Sequence, residues 1–165
     1  PVIMPYAKNT DEMIDQYSEA ALHAWHIQNG DFVVITAGLP VGVPGTTNMI
    51  KAHLVGDSIV NGVGVGNYNA IGRACICHHR EYAKTKFKHG DVLVAATTSN
   101  DMLDFMREAA AISTEESGMN SHAAIVGMTL EKPVIVGAIG ATLKLKDGQL
   151  IAVDAARGIV QSMPE

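Results

Sequence analysis

Apolar and polar positions alternate along this chain in ways that predict a run of short strands and helices. Val2 to Tyr6 reads as a strand ended by Pro5. Asn9-Thr10-Asp11-Glu12 then opens a helix, with a capping side chain and acidic residues in the first turn. Met13, Tyr17, Ala20, Ala21 and Ala24 recur at helical spacing, and Asn29-Gly30 supplies a stop. Asp31 to Thr36 is apolar on both faces, as in a covered sheet strand, and Met49 to Val55 alternates as a second strand.

Further on, strands are expected at Ile71–Cys77, Asp91–Ala96, Ala109–Ser113, Pro133–Val136, Leu150–Val153 and Gly158–Val160. Helices are expected over Glu81–Phe87, from Asn100-Asp101 to Arg107, and from Ser121 to about Leu130, with Asp147-Gly148 as a hairpin-type turn. Between the two groups, 57–69 is rich in glycine and asparagine and reads as a linker. Its Gly62-Val63-Gly64-Val65-Gly66 suggests a dinucleotide loop, but the spacing is GxGxG and no helix follows, so the linker reading is preferred. The pattern therefore predicts an α/β unit over 1–56 and a β/β/α sandwich over 70–165.

Composition narrows the function classes. Of 165 residues, 47% are hydrophobic and 18% charged, enough apolar content for a packed core. A net charge of −5 lacks the basic footprint that nucleic acid requires. No apolar run approaches the roughly 18 residues of a membrane span, and no secretory pattern opens the chain. Two cysteines form no disulfide scaffold, and a reducing cytoplasm is the expected setting. The start at Pro1-Val2-Ile3, without methionine, suggests a piece of something longer.

Candidate chemistry concentrates in Glu116-Ser-Gly-Met-Asn-Ser-His-Ala-Ala-Ile-Val-Gly127. Gly118 lets backbone approach a ligand, and Ser121 caps the next helix, whose first N–H groups favour an anion. His122 then lies in the first turn, where a neutral, nucleophilic imidazole is favoured, a design suited to a phosphocarrier. The competing reading is a histidine that only caps or packs. A second anion or effector candidate is the loop after the first covered strand, with Gly38, Gly42, Gly45, Thr46 and Thr47. Its alternative is a plain strand connection. Cys75-Ile-Cys-His-His79 raises a metal site, but no second ligand pair exists, and two buried thiols with surface histidines account for it better. Glu115-Glu116 reads as solvated or helix-capping.

Two resemblances cover nearly the whole chain. Asn29-Gly-Asp-Phe-Val-Val-Ile-Thr-Ala-Gly38, continuing to Pro44-Gly-Thr-Thr-Asn48, resembles the end of the C-terminal domain of bacterial pyruvate kinases. Gly90-Asp-Val-Leu-Val94, Gly118-Met-Asn-Ser-His-Ala-Ala-Ile-Val126, Pro133-Val-Ile-Val-Gly137 and Asp147-Gly-Gln-Leu-Ile-Ala-Val-Asp154 resemble the swivelling phosphohistidine domain of phosphoenolpyruvate-utilising enzymes. In this order they look like the C-terminal end of a Bacillus-type pyruvate kinase.

The resemblance implies a partial three-layer α/β C-terminal domain followed by a β/β/α swivelling-type domain. It implies a parent that uses Mg and K, moves phosphate from phosphoenolpyruvate to ADP in glycolysis, and works as an allosteric tetramer. The catalytic barrel is not in this chain, so the expectation is a non-catalytic regulatory and assembly fragment. It carries no cofactor of its own, and its partners are its own copies and a sugar-phosphate or nucleotide effector. Phosphotransferring relatives usually read G-G-x-T-S-H, where Ser117 and Asn120 stand here. They carry arginine a few residues later, where this chain has Gly127, and glycines in place of Ala155-Ala156. These departures count against a phosphocarrier role for His122, which remains the alternative.

Overall fold

The computed structural model describes residues 2–24, 27, 31–39, 45, 47–56 and 58–163. The chain divides into two compact units, Pro1–Gly56 and Asp57–Glu165.

In the first unit, α1 (Thr10–His23) begins where the Asn9 side chain accepts the Glu12 amide, and Glu12 in turn accepts the Lys8 amide. Such reciprocal capping satisfies N–H groups that a first turn leaves unpaired. Met13 and Ile14 form its buried face. The helix ends at His23, and the Asn29-Gly30 stop lies outside the described residues. No regular element forms at Val2–Tyr6, where a strand was expected; Val2, Ile3 and Tyr6 are exposed.

The strands β1 (Phe32–Ala37) and β2 (Met49–Leu54) pair antiparallel, with Val34 opposite Ala52 and Thr36 opposite Ile50. The expectation of a sheet covered on both faces fails here, because Val34 is 68% and Ile50 77% exposed. The apolar run is present, but no described residue of this unit covers that face.

The second unit is built on β3 (Ser58–Asn61), β4 (Val63–Val65), β5 (Asn69–Cys77), β6 (Val92–Ala95), β7 (Ala111–Thr114), β8 (Val134–Val136), β9 (Leu150–Asp154) and β10 (Ile159–Ser162). Their lateral order is β3-β10-β9-β5-β6-β7-β8-β4. β5 belongs to two ladders: Asn69–Arg73 pair antiparallel with β9, and Ala74–Cys77 pair parallel with β6. The strands at the two ends of this order, β3 and β4, are joined by Gly62 alone. The sheet must therefore fold over on itself into two layers. One apolar cluster, including Ile76, Val92, Ile135, Ile151 and Val160, fills the space between strand layers. A second, including Leu93, Met106, Ile112, Ala124 and Val134, lies against the helices α2 (Arg80–Lys86), α3 (Leu103–Glu108) and α4 (His122–Thr129). This is the expected β/β/α arrangement.

The segment 57–69 is not a linker. It supplies β3 and β4, which pair with β10 and β8. Its glycines serve a chain crossing: the Gly62 amide donates to the Gly158 carbonyl at 2.8 Å, and a Cβ on Gly64 would sit 1.6 Å from the Ala155 carbonyl oxygen. Only a residue without Cβ permits that approach. A short helix absent from the sequence reading, α5 (Ala141–Lys144), follows β8.

Candidate functional site

The parallel strands β5 to β8 end on one edge of the second unit, the edge at which α/β sheets present ligands. After β6 the chain runs through Thr98 into a 3-10 turn at Asn100–Met102. After β7 it runs through Glu115–Gly118 to Ser121 and α4. The Ser121 side chain accepts the Ala124 amide, as the sequence predicted for a cap, and Gly118 adopts φ +109°. A Cβ at Gly118 would lie 2.9 Å from the Asn120 side chain, so both space and backbone favour glycine there.

His122 is half-buried in the first turn of α4, and both ring nitrogens are engaged. Nδ1 lies 2.9 Å from Thr98 Oγ1, and Nε2 lies 3.0 Å from Asn100 Oδ1. An amide oxygen only accepts, so Nε2 carries a hydrogen, and in the neutral ring Nδ1 accepts from the Thr98 hydroxyl. In this state the imidazole donates through Nε2 and its lone pair is occupied. Attack by Nε2 requires the hydrogen to move to Nδ1, with the Thr98 hydroxyl turning to accept it and Asn100 turning its amide. Thr98 was not foreseen in the sequence, and Asn100 only as a helix cap. They stand 24 and 22 residues from His122, and only the pairing of β6 beside β7 brings them together.

Position 127 is different from the sequence expectation. Gly127 is buried on the side of α4 that faces β8, and a Cβ there would meet Val134 Cγ2 at 2.0 Å. Its absent side chain is a packing requirement between α4 and β8.

Glu115 also differs from a solvated residue. Its Oε1 accepts the Thr142 hydroxyl at 2.6 Å and the Thr142 amide at 2.9 Å, which ties the loop after β7 to α5. Those two bonds hold its carboxyl below the usual range, the hydroxyl contributing most.

In the first unit, the Asn48 amide closes the mouth of the second candidate loop. Its Oδ1 accepts the Leu39 amide and its Nδ2 donates to the Leu39 carbonyl, both at 2.7 Å. Gly38 is half-buried, while Gly45, at φ +88°, and Thr47 are exposed; Gly42 and Thr46 lie outside the described residues. Asn48 therefore occupies the backbone N–H that follows Gly38.

Among the described residues no group of three His, Cys, Asp or Glu side chains is placed to hold a metal ion. No helix among those residues is long and apolar enough to cross a membrane.

These features define a chain that joins a pyruvate kinase-type α/β unit to a mobile domain of phosphoenolpyruvate-utilising enzymes. Residues 1–53 match the family model "Pyruvate kinase, alpha/beta domain", and residues 87–158 match "PEP-utilising enzyme, mobile domain". Each segment matches its own family model, and the succession of the two is like that of Bacillus-type pyruvate kinases. The chain is 46% identical to the pyruvate kinase of Geobacillus stearothermophilus over 94% of its length, and 41% identical to that of Lactobacillus delbrueckii subsp. bulgaricus over 97%. It is 45% identical to that of Bacillus licheniformis over 92%. The chain spans about 27% of the first two relatives' length and 26% of the third's.

Proposed function

We propose that this chain is the C-terminal regulatory and assembly part of a pyruvate kinase and is not catalytic alone. The whole enzyme transfers a phosphoryl group from phosphoenolpyruvate to ADP, giving pyruvate and ATP, with Mg and K, as a cytoplasmic homotetramer. The observation that carries this reading is the continuous match to pyruvate kinases across both units, 46% identical over 94% of the chain. The bare Val34 and Ile50 face agrees with it, because an α/β domain completed by preceding chain covers such a strand pair. The loop bearing Gly38, Gly42, Gly45, Thr46 and Thr47 is one wall of a site for a sugar-phosphate or nucleotide effector.

The test has two parts. Sequencing the DNA upstream of the codon for Pro1 should reveal a barrel kinase in frame. The protein so encoded should form pyruvate in a coupled assay, whereas the 165-residue chain should form none. An upstream region encoding anything else overturns the proposal.

A second reading, a phosphohistidine carrier, rests on His122 with Ser121 and Gly118 at the N-terminus of α4. Incubation with phosphoenolpyruvate and a phosphotransferase partner, followed by analysis for acid-labile phosphate, separates the two. Label on His122 favours the carrier.

A further inference from the structure

Cys75 and Cys77 lie on the face of β5 that packs toward α2, with their sulfurs 3.6 Å apart. Neither is bonded in a disulfide. Beside Cys75 is a cavity of about 100 Å³, lined also by Arg73, Lys86, Lys88, Asp91 and Asp147. Three cations and two carboxylates thus line the cavity beside this thiol. Both carboxylates are already engaged: Asp147 accepts the Ile76 amide and the Tyr82 hydroxyl, and Asp91 accepts the Lys88 amide. A volume of this size holds about three water-sized molecules, too little for a bulky thiol disulfide and enough for a small peroxide.

We propose that Cys75 and Cys77 form a reversible redox pair, in which a small hydroperoxide entering this cavity oxidises Cys75 and Cys77 then closes an intrastrand disulfide. The Cys75 thiolate attacks one peroxide oxygen; an S–O bond forms, the O–O bond breaks, and the leaving oxygen takes a proton as water or alcohol. The Cys77 sulfur then attacks the Cys75 sulfur; an S–S bond forms, the S–O bond breaks, and the oxygen leaves with the Cys77 proton as water. Two thiols are oxidised by two electrons, and one peroxide is reduced.

The two cysteines have unequal roles. The hydrogen bond from Cys77 pulls the Cys75 thiol below its ordinary range, against burial and the two carboxylates, and Lys86 assists. The same bond, with burial, pushes Cys77 well up, so Cys77 is the proton-bearing partner. Same-face residues on a strand are about 6.6 Å apart at Cα, near the upper end of the disulfide range of about 4.4–6.8 Å. Cys77 is the last residue of β5 and pairs with Ala95, so closing the bridge strains only the final pair of the β5–β6 ladder. A bridge closed at that limit is readily reduced, which suits a switch better than a structural staple.

The test treats the native 165-residue chain with hydrogen peroxide, quenches it in denaturant with an alkylating reagent, and maps the peptides. Expected is a species lighter by about two mass units, with both cysteines protected and both restored by reductant. In Cys77→Ser a sulfenic-acid probe should label Cys75, and in Cys75→Ser it should label nothing. Before oxidation, Cys75 should alkylate at least about tenfold faster than Cys77. Two free thiols after treatment, a faster Cys77, or Cys75 passing directly to sulfinic acid in the wild type overturns the proposal. The wild-type map decides the question even where a variant does not fold.

Discussion

The Thr98 hydroxyl and the His122 Nδ1 lie 2.9 Å apart, joining the loop after β6 to the first turn of α4. With Asn100 Oδ1 at 3.0 Å from Nε2, this contact sets which nitrogen bears the hydrogen. The neutral imidazole should therefore be the Nε2–H tautomer. Long-range proton–nitrogen NMR in mildly alkaline buffer should show that form in at least about tenfold excess, the effect of one hydrogen bond. Thr98→Val should leave the tautomer unchanged, whereas Asn100→Leu should mix the two forms. A wild-type Nδ1–H tautomer contradicts the arrangement.

Gly127 is set by its distance to Val134. Gly127→Ala places a methyl group 2.0 Å from Val134 Cγ2, and relief requires the buried Val134 side chain to turn or α4 to move off β8. The expected loss is about 1–3 kcal/mol of unfolding free energy. Gly148→Ala meets no atom within 4 Å and should cost only the strain of its φ of +80°, about 1 kcal/mol. Urea unfolding of the two variants compares them directly, and equal losses would remove the packing argument.

The Glu115 carboxylate is stabilised in the folded state by Thr142, so its folded pKa is depressed. Its contribution is full above the unfolded carboxyl value of about 4.3 and is lost as pH falls through the folded value. Glu115→Gln should be less stable than wild type near neutrality, and the gap should narrow below about pH 4. Urea midpoints at neutral and acid pH read the difference. A gap that widens in acid reverses the sign and refutes the claim.

Val34 and Ile50 offer a test of the bare face on β1 and β2. Val34→Thr with Ile50→Thr should change the stability of the 165-residue chain by no more than about 0.5 kcal/mol per site, and should raise its solubility. In the whole enzyme the same pair should lower the melting temperature, because there the face would be covered. Denaturation curves and light scattering on both proteins check this.

Much of the second unit was legible because its signals are local. Ser121 announces its helix through the hydrogen bond that a short polar side chain makes to a first turn, as Asn9 does in the first unit. The apolar run Val92–Ala95 and the Val134–Val136 triplet after Pro133 mark strands buried on both faces. The sandwich class follows from their number and spacing.

What failed has one physical cause. The strands β3 and β4 have only four and three residues, and the glycines at 62, 64 and 66 that flank or interrupt them break the local strand signal. They are strands because they pair with β10 and β8, and Gly62 and Gly64 let the chain pass close to Ala138 and Ala155 between those pairings. Likewise α5 has only four residues, and its fold depends on a carboxylate from Glu115, 27 positions away from Thr142. The His122 partners and the role of Gly127 are also long-range distances.

The sequence alone determined the caps, the buried strands, the position of His122 in a helix's first turn and the pyruvate kinase resemblance. These depend on groups within a few residues of one another. The tertiary structure decided the fold-over at Gly62, the hydrogen on Nε2 and the bare face of the first unit. Each of those depends on where distant backbone comes to rest, which no local pattern encodes.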